Sequence, residues 1–144
     1  MHDIEEAPLQ LTVPNDASNL RLVRLVVASA AADVEFSYDT VEDLRIVADE
    51  LITLVMTIAT PHTPVKIAIF PGPENFVFRG SARLASADQL RSNDPSGNRS
   101  PVVELDVLAA QIVASLVDYY GIETNDQQID VEFSVRCPIG PTDG

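Results

Sequence analysis

The spacing of apolar residues switches between two periods along this chain, and that switching constrains the fold more than any other feature. Leu9, Leu11 and Val13 alternate with Gln10 and Thr12, the period of a half-buried strand, and Pro14 ends the run. Leu20, Val23, Val27 and Ala30 then recur at helical spacing, and the alanine-rich segment 28–32 favours helix. Asn15-Asp16 offers an N-cap, and residues 33–37 connect to a second helix that Asp39 or Thr40 can cap. Its apolar stripe is Leu44, Val47, Leu51, Leu54, Val55 and Ile58, stopped by Pro61 and Pro64. Period two returns over 65–70 and 76–79, separated by the breaker-rich turn 71–75, so these runs read as an antiparallel hairpin. A third helical stretch comes next, with Leu105, Leu108, Ala109, Ile112, Leu116 and Val117 on one face and Gly121 placed as a C-cap. Ile129, Val131, Phe133 and Val135 alternate as the last strand.

The order is β-α-α-β-β-α-β. It predicts an α+β domain: one mixed or antiparallel sheet of about four strands, covered on one face by helices near residues 16–32, 40–60 and 102–120. One domain of residues 9–136 is expected, with flexible termini at 1–8 and 137–144. The polar stretch 86–101 reads as a lid or binding loop.

Charge narrows the partners. The chain holds 22 acidic and 9 basic side chains, a formal charge of −13. That field repels phosphate backbones and disfavours direct contact with nucleic acid. It attracts basic partners, or serves only to keep the surface solvated. With Cys137 as the single cysteine no internal disulfide forms, which fits a reducing cytoplasmic setting. No charge-free run approaches the roughly 18 residues of a membrane span, and no basic stretch followed by an apolar run opens the sequence, so neither a span nor a secretory leader is expected. His2 and His62 share no ligand spacing with Cys137, so no metal site is expected, and no nucleophile-elbow sequence is present. Tyr119-Tyr120 reads as either an interface patch or packing at a helix end.

Two stretches carry a resemblance. Leu11-Thr12-Val13-Pro14 leads into a helix with Arg24, and residues 41–50 read Val-Glu-Asp-Leu-Arg-Ile-Val-Ala-Asp-Glu. Together with the element order they resemble the anti-sigma-factor serine kinases of the RsbW/SpoIIAB type, within the GHKL ATPase superfamily. The resemblance runs from Leu9 to Arg136. It implies the Bergerat (histidine-kinase-like) ATPase fold, a homodimer, and partner switching between a sigma factor and an anti-anti-sigma protein. It also implies that Arg24 contacts one of those partners, although a solvated helix arginine is the simpler reading.

The family's nucleotide motifs are degenerate here. Glu50 stands at the general-base position, as a vestigial base or as an ordinary helix carboxylate. Four residues on, where the family has the asparagine that holds Mg²⁺, stands Leu54. The Asp-x-Gly-x-Gly motif corresponds to Gly80-Ser81-Ala82-Arg83-Leu84, without the adenine-reading aspartate or either glycine. The later Gly-x-Gly phosphate cradle corresponds to Val107-Leu108-Ala109. The expectation is therefore an anti-sigma factor, or a related partner-switching regulator of transcription, acting by protein binding, with no catalytic, cofactor or metal residues. ATP and Mg²⁺ belong only to the alternative of a divergent serine kinase. The other alternative is a dimerisation module without enzymatic activity.

Overall fold

The computed structural model describes residues 9–84 and 103–138. The expectations for the termini at 1–8 and 139–144 and for the loop at 86–101 lie outside them. The elements are β1 (Leu9–Pro14), α1 (Leu20–Asp33), α2 (Tyr38–Ile58), β2 (Pro64–Pro71), β3 (Asn75–Arg83), α3 (Val107–Leu116), β4 (Tyr119–Thr124) and β5 (Gln128–Arg136). The strands form one antiparallel sheet in the order β1-β2-β3-β5-β4. The α+β class stands, and so does the order read from the two periods, with one further strand inserted before the last.

That strand corrects the reading of the third helix. Helical spacing predicts a helix as far as Tyr120, but α3 ends at Leu116 and Val117 is already extended. Tyr119, Tyr120 and Ile122 are β-branched or aromatic, and they gain more by pairing with β5 than by continuing a helix. Tyr120 stands opposite Phe133 and Ile122 opposite Val131, both on the core face. Gly121 is therefore no helix cap: a side chain there would strike the Tyr119 hydroxyl, so the glycine leaves room for that ring on the opposite face. Leu108 is exposed rather than inward, because α3 seats itself through Ala109 and Val113. Apolar residues line nearly the whole of α3, so periodicity alone could not choose its buried side.

The caps also differ from expectation. Asp16 caps a short 3₁₀ turn, accepting from the Ser18 backbone N–H at 2.9 Å. That bond, seconded by the one from the Ser18 hydroxyl, lowers its pKa. Ser37, not Asp39 or Thr40, caps α2 by accepting from Thr40 N–H. Cys137 is no part of a loose tail: its N–H donates to Glu74 O at 2.8 Å and its thiol to Gly72 O, and burial raises its pKa.

The core lies between the sheet and the helices. Phe78 stacks on Phe133 at 5.0 Å, and Phe36 from the α1–α2 connector meets Phe76 edge-on at 5.7 Å. Across this aromatic floor α2 buries Leu44, Val47, Leu51, Ile52 and Val55, each contributing about 1.5–3 kcal/mol. Helix α2 is central, with α1 and α3 both packed against it. The sheet's other face carries Lys66, Arg79, Asp130 and Glu132.

Asn15 fixes the end of α2. Its side-chain amide lies within 3.1–3.3 Å of the carbonyl oxygens of Met56 and Ala59 at the helix end, where carbonyls lack intrahelical partners, and of Thr60 in the following turn. Its backbone N–H donates to Thr63 O, so the β1–α1 junction and the α2–β2 turn are tied together. We expect Asn15→Ala to lower unfolding free energy by about 1–3 kcal/mol. Asn15→Asp, which keeps the shape but faces carbonyls with an acceptor, should cost at least as much. Urea denaturation of the three proteins checks both, and an unchanged midpoint in either variant contradicts the assignment.

Candidate functional site

The residues that the resemblance assigns to nucleotide chemistry come from α2, β3 and the start of α3. Glu50 and Leu54 are one turn apart on α2, where residues four apart share a face. Both are half-buried, and Leu54 packs against the core. A leucine offers no oxygen to a cation, and Mg²⁺ takes oxygen ligands in near-octahedral geometry. Glu50 has no carboxamide beside it at that position with which to share an ion.

Position 80 is the most informative. Gly80 lies on the core-facing row of β3, opposite Ile67 on one side and Val131 on the other. A Cβ built there would stand 2.5 Å from Ile52 Cδ1 and 3.2 Å from Val131 Cγ2. Ile52 is fully buried, so it fills the space that an aspartate side chain at residue 80 needs. Isoleucine and glycine complement one another here, and the pair is missed by motif reading because Ile52 lies outside the i, i+4 pair of Glu50 and Leu54. Further along β3 and just past its end, Ala82 and Leu84 are both buried, where the family pattern has glycines.

A second residue was also missed. Asp106 is the N-cap of α3, and its carboxylate accepts from the Ala109 N–H at 2.8 Å. The amides at a helix start are the usual seat for a phosphate. Here one of them is already taken by a carboxylate of the chain itself, and that fixed negative charge repels another anion. The sequence signal was legible, since an aspartate before an apolar helical run is an N-cap. Val107 and Leu108 beside it are exposed.

Arg24 is not the simply solvated helix arginine of the plainer sequence reading. Its Nη1 donates to Asp49 Oδ1 at 3.0 Å, with both side chains about one-third exposed. The packing of α1 on α2 brings this pair together. Arg45 likewise pairs with Glu42 through both carboxylate oxygens.

Other candidates disperse. His62 sits in the turn before β2 and Cys137 beneath the turn after it, at opposite ends of that strand. Among the described residues no three His, Cys, Asp or Glu side chains cluster in a way that could hold a metal ion. No helix of those residues is long and apolar enough to cross a membrane. A concave cleft of about 760 Å³ lies on the open face of the sheet, lined by Lys66, Ala68, Arg79, Tyr119 and Glu132 among others. Glu50 and Leu54 do not line it. Tyr119 is half-exposed in that face, while Tyr120 packs inward.

A single antiparallel sheet with three helices on one face defines an α+β domain, the class and the element order read from the sequence. Sequence comparison finds a distant similarity. The chain is 28% identical over 80 residues to anti-sigma-F factor RsbW of Mycobacterium tuberculosis, in two strains, covering 56% of this chain and 48% of that protein. The chain thus spans about half the length of the curated relatives it matches. No protein-family model matches it.

The contact between Ile52 and Gly80 has a thermodynamic signature. We expect Gly80→Ala to destabilise the fold by about 1–3 kcal/mol, because the new methyl displaces a side chain in a filled core. Ile52→Val removes Cδ1 and alone costs about 0.5–1.5 kcal/mol. The double variant should cost clearly less than the two added together, a coupling that urea unfolding measures. Simple additivity would show that the two positions do not share one space.

Proposed function

We propose that this chain is an anti-sigma factor, or a related partner-switching regulator of transcription, that acts by protein binding and neither hydrolyses nor transfers phosphate. Its partners on this reading are a sigma factor, an anti-anti-sigma protein, or both, in the cytoplasm, with the chain acting as a homodimer. Similarity to the M. tuberculosis anti-sigma-F factor supports the protein-binding half. The observation that carries the non-enzymatic half is Ile52 seated in the space that a side chain at Gly80 would need.

Two further features support the same reading. Leu54 removes the metal-binding oxygen one turn after Glu50, and Asp106 sets a carboxylate on the α3 amides. Losing several charge-assisted or metal contacts, each worth roughly 1.5–3 kcal/mol, lowers nucleotide affinity by orders of magnitude. The open sheet face supports self-association. Cations lie on β2 and β3, carboxylates on β4 and β5. A twofold axis running between β3 and β5 sets β3 over β5 and β2 over β4 of the second copy, cation-bearing strands over acid-bearing ones.

Partner contact on this reading includes Arg24 of α1. The exposed side of that helix presents Arg21, Leu22 and Leu25, and no acid occurs in it before Asp33. In a chain of net charge −13 this is a basic and apolar strip. A guanidinium gives a partner carboxylate orientation as well as energy.

Two measurements test the proposal. Millimolar ATP with Mg²⁺ should leave the melting temperature unchanged, since a ligand specific to the folded state must raise it. Micromolar ATP binding by calorimetry favours the divergent kinase instead. The sigma factor encoded nearest the gene should bind the wild-type chain, and Arg24→Glu should weaken that binding at least tenfold, about 1.4 kcal/mol. If neither that sigma factor nor its antagonist binds the wild type, the anti-sigma reading fails. If binding is tight but indifferent to Arg24, only the site assignment is lost.

A further inference from the structure

We infer that Asp49 competes with the partner for Arg24, so that a carboxylate of the chain itself sets the affinity and selectivity of the docking surface; this rests on the reading of Arg24 as a partner contact. The inference begins from the pair's geometry. Arg24 Nη1 is 3.0 Å from Asp49 Oδ1, and that is its one hydrogen bond among the described residues. A guanidinium carries five N–H donors in a planar fork, so this single bond occupies a small part of it while cancelling much of its charge. The side chains are 39% and 34% exposed, which leaves the pair open to solvent and to an incoming group.

Position matters as much as charge. Arg24 belongs to α1, whose Leu22 and Leu25 are 40% and 64% exposed, whereas Asp49 belongs to the neighbouring α2. The apolar contact and the cation are thus on one helix and the competing anion on the next. A partner segment that covers Leu25 and offers a carboxylate to Arg24 meets the charge of Asp49 at the same point. Docking then exchanges one ion pair for another: the Asp49 bond breaks, the carboxylate turns to water, and the partner takes the fork.

Exchange of this kind is selective. A partly exposed pair held by one hydrogen bond is weak, so a carboxylate placed to accept two parallel N–H bonds displaces it. A partner that presents a hydroxyl, an amide or a poorly aimed acid does not. The partner that fits is an apolar segment with a well-placed Asp or Glu.

The test uses the full chain and the sigma factor encoded nearest the gene, with binding isotherms at low and high salt. Asp49→Asn should tighten binding about threefold to fivefold, the factor by which a weak exposed pair biases an equilibrium. Asp49→Glu, which keeps the carboxylate, should stay near wild type. In an Arg24→Ala background Asp49→Asn should give no gain. Asp43→Asn, which removes the same charge elsewhere on α2, should give little, and the Asp49→Asn gain should shrink as salt rises. Unchanged or weaker binding by Asp49→Asn overturns the inference, as does a gain that persists without Arg24. If wild type binds and Arg24→Glu fails to, while Asp49→Asn is flat, this inference falls and the proposed function survives. If wild type and all variants ignore both the sigma factor and its antagonist, the proposed function falls and takes this with it.

Discussion

The burial of α2 across the sheet is the constraint on which the rest of the molecule depends, and its tightest point is Ile52 over Gly80. Strands β3 and β5 offer Phe76, Phe78, Val131 and Phe133 to that helix, and the absence of a side chain at residue 80 lets Ile52 descend onto the sheet. Close packing of this kind leaves no room to spare, because interiors are filled to crystal-like density. On the proposed function the same contact has a further consequence. A space in which the family pattern places a nucleotide-reading carboxylate is here part of the hydrophobic core. Stability and the proposed loss of chemistry then have one physical origin.

Electrostatics runs in parallel. Where a phosphate-binding helix start keeps its amides open, α3 closes one with Asp106. Where a docking arginine is expected to stand free, α1 delivers Arg24 to Asp49. Other cations of this acidic chain are likewise engaged by nearby carboxylates: Arg45 with Glu42, and Arg79 with Glu132. Arg79 also lies over the Phe70 ring.

Much of the fold was legible in the sequence, for reasons that differ by element. β1, β2, β3 and β5 alternate cleanly because one sheet face is covered and the other is open, and α1 and α2 carry a one-sided stripe for the same reason. α3 could not be separated from β4, the strand beyond it. Apolar residues run nearly all round that helix, so neither its buried side nor its end at Leu116 stood out, and β4 was absorbed into a helix that should have stopped. Leu54 and Gly80 were found because a family pattern names those positions. Ile52 and Asp106 were not, since one acts by filling space and the other by capping. Asp49 escaped notice because a contact between two helices leaves no local spacing to read.

The most direct test of the central claim is sigma-factor binding measured with and without nucleotide. If the chain is a protein-binding regulator whose nucleotide site has become core, its affinity for that sigma factor is the same in EDTA as in millimolar Mg²⁺ and ATP. An affinity that rises or falls by tenfold with nucleotide, a coupling of about 1.4 kcal/mol, would contradict it.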